Sequence, residues 1–497
     1  MNFFLRVVML DIFSIWVRRC YNQFPQLATT VGDKAAATMS TNYKDAIDTL
    51  NKLQSNAEYI KRAKIKNNQE HNMQEMAKFL NRTGISLEQL DNLPVIHIAG
   101  TKGKGTTSSY CESILNSHGY KTGFYSSPHL LEVRERIRLN GVPISQVKFA
   151  SNFWKVYTRL DKQKSAPYDM PLYFRFLTIL ALHIFIAEKV DAAILEVGIG
   201  GEYDCTNVVR KTLVAGITPL DIDHTALLGN TLESIAWNKG GIMKPRAEVF
   251  TSVQPNAAMK VLNERSHERQ CNIHVVKDLY MDQTNSSIPL HVQQTNASLA
   301  LSISECFMKI RPRNNQQPFS LKVAKDAIKS AKWPGRYQII QRSNFVFFLD
   351  GAHTTGSMEV CSKWFSSNAQ DNRIRVLIFN VTGDRSSNNL MKILLNNCQF
   401  DMAIFIPNVG DDSDNLDTVD QIQPVQRQLE RCFKHKNTWD CADYAKCNES
   451  KVFSSFSKAL KYLESQEGKR FNVLVTGSIH LIGAALSVLD PTLDGLL

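Results

Sequence analysis

Short apolar runs alternate with longer stretches of helical spacing along most of the chain, and this alternation predicts a parallel α/β fold. Val95 to Ala99 is a short, partly β-branched run that feeds a glycine-rich loop. After the loop, SSYCESILNSHG places Tyr110, Ile114 and Leu115 at helical intervals. KTGFY, DAAILE and LVAGI read as further strands, each ending in a turn or an acidic loop. A helical stretch from about residue 42 (YKDAIDTLNKLQ) precedes the glycine loop, and PLYFRFLTILALHIFIAEKV predicts a long buried crossover helix. Arg175, His183 and Glu188 rule that segment out as a membrane span. A second strand series follows residue 333, at 345–350 (FVFFLD), 375–380 (RVLIFN), 402–407 (MAIFIP) and 472–477 (NVLVTG). The join is expected around 311–333, where Pro312, Pro318 and Pro334 break the pattern. The polar stretch 408–450, with five aspartates from Asp411 to Asp420, reads as a long surface excursion.

A length of 497 residues is too long for one core and implies two or three domains. The formal charge of +11 favours polyanionic partners, but the basic residues are scattered. Their one short run, Lys61, Arg62, Lys64 and Lys66, has no interleaved aromatics and reads as a solvated helix face, so nucleic acid is set aside. The ten cysteines form no CxxC pair, and Cys432, Cys441 and Cys447 lack zinc-ligand spacing, which fits a reducing compartment. The first 32 residues are different: Arg6, Arg18 and Arg19 against the single acid Asp11, with apolar residues at helical intervals. This is transit-peptide chemistry and predicts mitochondrial import of a segment spanning 1–38, while a start at Met39 would give a cytosolic form.

The chemistry concentrates at VIHIAGTKGKGTT, residues 95–107. Strand, glycine loop and helix lay backbone N–H groups around a phosphate at a helix N-terminus, so Gly100, Thr101, Lys102, Gly103, Lys104, Gly105 and Thr106 predict a nucleoside triphosphate site. The strict P-loop puts a hydroxyl directly after Gly-Lys; here Gly105 holds that place and Thr106 comes one later. Lys104 should reach the β- and γ-phosphates. Charged residues at strand C-termini are the next candidates. Glu196, before Val-Gly-Ile-Gly-Gly, is a magnesium ligand or a turn-capping acid. His224, in the DIDH loop, is a structural histidine or part of the site. Lys239 read alone is a helix C-terminal lysine, and Ser127 a turn serine before Pro128. In the second series Arg336, Asp350 and His353 could close over a nucleotide, or could line a solvent-facing glycine turn. The fold expected is therefore a P-loop parallel-sheet ATPase domain at 42–325 followed by a smaller Rossmann-like α/β domain at 333–497.

GTKGKGTT, SSPHL with ERIRLNG, EVGIGGEYDCTN, DHTALLGNTLESIAWNKGGI, WPGR, LDGAHT and TGDR, in that order, resemble the folylpolyglutamate synthase family, eukaryotic branch, within the Mur ligase-like amide-bond ligases. YFRFLT and CQFDMAIFIPN match that branch as well. The resemblance runs from about residue 42 to the C-terminus. It implies that Gly100 to Gly105 and Lys104 cradle the triphosphate, that Ser127 and Glu196 hold Mg2+, and that His224 serves a second metal position. It implies a carbamylated Lys239, and nucleotide contacts from Asn296 in QQTNASLA with Arg336, Asp350 and His353. SSPHL and PLYFRF resemble the folate side of the cleft. ATP and Mg2+ are the implied cofactors, with K+ as a further candidate. Reduced folates and L-glutamate are the implied partners of a monomer without nucleic acid or a membrane span. The rival expectations are a dihydrofolate synthase sharing the same ATP apparatus, and a P-loop kinase or NTPase that forms no amide. A silent nucleotide binder would have lost Lys104 or Glu196, and both are present.

Overall fold

The computed structural model describes residues 43–53, 71–166, 169–278, 288–313, 318–382, 386–411, 424–441 and 449–493. The transit-type segment 1–38, Met39, the basic run at 61–66, most of TGDR and the aspartates from 412 to 420 lie outside them.

Two sheets carry the chain. The first has eight strands: β1 (Val95–Ala99), β2 (Thr122–Tyr125), β3 (Ile137–Leu139), β4 (Val142–Pro143), β5 (Ala192–Glu196), β6 (Val214–Ile217), β7 (Glu248–Ser252) and β8 (Asn272–Val276). Their order is β4-β3-β2-β5-β1-β6-β7-β8. From β2 to β8 every neighbour pairs in parallel, with Ile98 opposite both Glu196 and Gly216. All five residues of β1 are buried, as both-faced cover requires, and its apolar run is interrupted only by His97, whose Nε2 lies 2.9 Å from Thr206 Oγ1. One edge departs from the all-parallel expectation. β3 and β4 form an antiparallel hairpin on β2, turned at Asn140-Gly141 with φ of 54° and 85°. Each of these strands is too short to show a period in sequence.

The second sheet is built from β9 (Gln338–Arg342), β10 (Phe345–Asp350), β11 (Ile374–Phe379), β12 (Met402–Phe405), β13 (Glu449–Val452) and β14 (Phe471–Thr476) in the order β13-β12-β11-β14-β10-β9. Only the β9–β10 pair is antiparallel. The crossover helix Tyr173–Glu188 is buried along most of its length, and its Arg175 donates to Glu75 at 2.6 Å. No helix among the described residues is long and apolar enough to cross a membrane.

Helix Leu321–Ser330 packs Ala324, Ala327 and Ile328 into the first core beside Cys111 and Leu115, and Ser113 Oγ donates to the Ala327 carbonyl at 2.8 Å. The chain passes from the first sheet's core to β9 only after it. In the other direction, Leu131, beyond the SSPHL turn, is buried in the second core with Leu481 and Ile482.

The 408–450 stretch is not simply a surface excursion. Helix Val425–Asp440 buries Gln428, Cys432, His435 and Trp439, and the Trp439 ring meets Phe400 tilted at 6.3 Å and Phe405 edge-to-face at 6.1 Å. The buried stripe follows helical spacing, but two of its four members are polar, which hides it from a hydropathy reading.

Candidate active site

The glycine loop opens helix Lys104–Ser117 with Gly103 as N-cap in the left-handed region, φ 82°. A side chain at Gly103 is excluded twice, by that φ and because its Cβ would lie 2.2 Å from Asn296 Oδ1. Asn296 stands on helix Leu290–Ile310 and accepts from Thr107 Oγ1 at 3.3 Å. The loop is tied to the next strand's end: Thr101 N and Lys102 N donate to the Pro219 carbonyl at 3.1 and 3.2 Å. Lys102 pairs with Asp221 at 2.5 Å.

Two lysines converge on one acceptor. Lys104 Nζ donates to the Gly100 carbonyl at 3.0 Å, and Lys239 Nζ donates to the same oxygen at 2.7 Å. Lys239 does lie in the last turn of its helix, Leu232–Gly240, and is 3% exposed. Burial, then the Lys104 charge, hold its pKa well below the ordinary lysine value.

Gly105 explains the off-pattern loop. A Cβ there would sit 2.5 Å from Trp333 Cζ2 and 3.4 Å from Glu196 Oε2. The space beside the expected hydroxyl position is taken by an aromatic ring and a carboxylate. Glu196, at the end of β5, is 5% exposed and accepts from the Ser127 amide at 3.4 Å. Burial pushes its pKa up to about 7, against the opposing charges of Lys104, Arg336 and Arg136. A buried carboxylate that, among the described residues, has the Ser127 amide as donor and no salt bridge is a donor set that a hard dication would complete. Ser127 and Glu196 therefore fit Mg2+.

His224 belongs to a second group. Asp223 Oδ2 lies 3.7 Å from His224 Nε2 and 3.5 Å from His353 Nε2 of the other unit. Among the described residues no three His, Cys, Asp or Glu side chains gather as a ready metal cluster. No observation among them supports a K+ site. On the second unit, His353 Nδ1 donates to the Gly351 carbonyl at 2.7 Å. Asp350, at the end of β10, accepts from Tyr337 N at 3.2 Å; burial raises its pKa and Arg336 opposes this. A Cβ at Gly351 would lie 3.0 Å from Arg336 Nη1, so Arg336 runs directly along this turn.

The candidates thus gather where the C-terminal ends of β1, β5, β6 and β10 face one another. Asp221, Asp223, Arg136 and Trp333 join them without having been singled out in sequence. The DIDH string held the signal for both aspartates. A cavity of about 330 Å³ at the far end of β10 and β14, floored by Phe345 and Phe471, contains none of the site residues.

A phosphate loop at the switch of a parallel sheet, a strand-end carboxylate, paired lysines and a second α/β unit reaching over them make up the architecture of a Mur ligase-like ATP-dependent ligase. Known proteins narrow this. The family described as "Dihydrofolate synthetase, C-terminal domain" matches residues 335–488. The chain is 38% identical to the mitochondrial folylpolyglutamate synthase of Bos taurus, covering 91% of this chain and 93% of that one. It is 36% identical to the mitochondrial folylpolyglutamate synthase of Homo sapiens, covering 92% and 93%. Among solved structures, Mycobacterium tuberculosis folylpolyglutamate synthase complexed with ADP has a TM-score of 0.71 at 22% identity, covering 91% of this chain and 99% of that one. E. coli FolC in complex with DHPP and ADP has a TM-score of 0.65 at 25% identity, covering 84% and 92%. The chain belongs to the folylpolyglutamate synthase family.

Proposed function

We infer that this chain, an ATP-dependent ligase adding L-glutamate to folates, joins the incoming amine to the γ-carboxylate of tetrahydrofolate glutamates through an acyl phosphate. A carboxylate resists amines because its leaving group would be oxide. Phosphoryl transfer from ATP to the carboxylate gives an acyl phosphate and ADP. The amine then attacks, a tetrahedral intermediate forms, and phosphate leaves. No nucleophilic side chain is required, so the protein supplies positioning and charge neutralisation. Lys104 and the amides of Gly100 to Thr106 hold the phosphates. Asn296 braces the loop, and Arg336, Asp350 and His353 approach the nucleotide from the second unit. Ser127 and Glu196 would hold Mg2+, with His224 at a second position; the ion would neutralise phosphate charge. Lys239, whose pKa burial lowers well below the ordinary lysine value, is a fit acceptor for CO2, and the carbamate, formed with loss of a proton, would put an anion at that second position. The 42–325 and 333–497 division assigns the triphosphate to the first unit and closure to the second.

The observation that carries this reading is Glu196 beside Gly105: a carboxylate standing where a P-loop NTPase keeps its metal-binding hydroxyl. A second reading, dihydrofolate synthase, draws support from the family described for residues 335–488. Labelled glutamate offered with MgATP and either tetrahydrofolate or dihydropteroate separates the two. The mitochondrial relatives support mitochondrial placement; a cytosolic form starting at Met39 belongs to the same proposal, and so does a monomeric state.

A further inference from the structure

We propose that Arg138 and Trp333 form a clamp that positions Arg336 over the phosphate loop, an inference that rests on the ligase reading above. Trp333 begins the WPGR link between the two units, and its ring lies against Gly105, with Cζ2 2.5 Å from the Cβ position. On the ring's other contacts sits a cation. The Arg138 guanidinium is 5.0 Å from the Trp333 ring centroid and 5.2 Å from that of Phe124. Phe124 meets Trp333 edge-to-face at 5.8 Å. Arg138 is 4% exposed and pairs with Glu112, 2% exposed, at 3.8 Å. Glu112 lies on the phosphate-loop helix, so the clamp is anchored to the element it presses on.

An isolated buried ion pair is poor value for stability, because desolvation offsets most of the attraction and an apolar pair of similar volume holds a core as well. This pair is also imperfectly satisfied: Arg138 Nε has no hydrogen-bond partner among the described residues. The guanidinium also lies over two aromatic rings, Phe124 and Trp333, a contact that an apolar residue cannot supply and that a lysine supplies only as a point charge. The link is pinned again two residues on. Gly335 has φ 76°, and a Cβ there would meet Ile482 Cγ2 at 3.0 Å and Leu130 Cδ2 at 3.2 Å. With Trp333 fixed on the loop and Gly335 fixed between Leu130 and Ile482, Arg336 has little freedom left. Its placement relative to Lys104 and Glu196 then depends on the clamp.

The test uses the full chain with four single and two double variants. Trp333→Leu and Arg138→Lys are each expected to lower kcat about tenfold or more with KM for ATP within about threefold, the mark of lost transition-state positioning. Combining Arg138→Lys with Arg336→Ala should cost no more than Arg336→Ala alone, because both act through the same guanidinium. Gly105→Ala should lose activity by collision with the ring, and Trp333→Leu added to it should restore part of the loss. Additive losses in the first pair, together with no rescue in the second, would overturn the clamp. Tryptophan fluorescence on adding MgADP gives an independent reading: a change seen in the wild-type chain should vanish in Trp333→Leu, and its persistence there counts against the proposal. If the wild-type chain released ADP without glutamate, the ligase reading would fail while the fluorescence arm still judged the clamp.

Discussion

Lys104 and Lys239 donate to one oxygen, the Gly100 carbonyl, at 3.0 and 2.7 Å. Two ammonium groups on one acceptor repel each other, and burial places the cost on Lys239, whose pKa falls well below its ordinary value. The proton-binding sign follows. Between the depressed folded value and the ordinary one, the unfolded chain binds the extra proton, so Lys239 makes stability rise with pH across that window. Lys239→Met should flatten this slope in thermal melts taken at successive pH values. It should also remove the carbamate resonance produced by carbon-13 bicarbonate, and its activity loss should be partly rescued by small carboxylic acids.

Lys104→Ala should lower kcat by about a thousandfold through loss of phosphate charge neutralisation. Steady-state ADP release measures it directly, and a loss under tenfold would remove Lys104 from the phosphates.

Glu196 gives a prediction with opposite signs for stability and activity. Its folded pKa, about 7, lies above the ordinary 4.5. Stability from the neutral carboxyl is full below the ordinary value and is lost as pH rises through 7. Without metal at pH 8, Glu196→Gln should therefore be more stable than the wild-type chain by about 2 kcal/mol, since no unneutralised charge stays buried. The same variant should lose several orders of magnitude in activity and gain no thermal stability from Mg2+. A less stable variant, or one with near-normal turnover, contradicts the assignment.

Asp223 bridges the two units between His224 and His353, at 3.7 and 3.5 Å. These pairs are partly exposed, so Asp223→Asn should change stability by less than about 1 kcal/mol. A displaced second unit should still cost kcat about tenfold. Melting temperature and kcat measured on one preparation separate the two effects.

The parallel core was legible because buried strands such as Val95–Ala99 and Phe345–Asp350 are apolar but for His97 and the terminal Asp350, and their ends mark where ligands bind. The Ile137–Leu139 and Val142–Pro143 hairpin was not, since neither strand is long enough to show alternation. Helix Val425–Asp440 was hidden because Gln428 and His435 share its buried stripe with Cys432 and Trp439. In the site, residue types and loop positions identified Lys104, Glu196 and His224. The reason for Gly105 lay 228 positions away in Trp333, a contact no local pattern encodes. Lys239 read alone was a helix-end lysine for a similar reason: its acceptor, the Gly100 carbonyl, lies far away in sequence.

The most direct test of the account is the fate of labelled glutamate. Incubated with MgATP and tetrahydrofolate, the chain should release one ADP for each labelled glutamate joined, and release should stop when glutamate is withheld. Label passing only to dihydropteroate, or ADP release indifferent to glutamate, would contradict it.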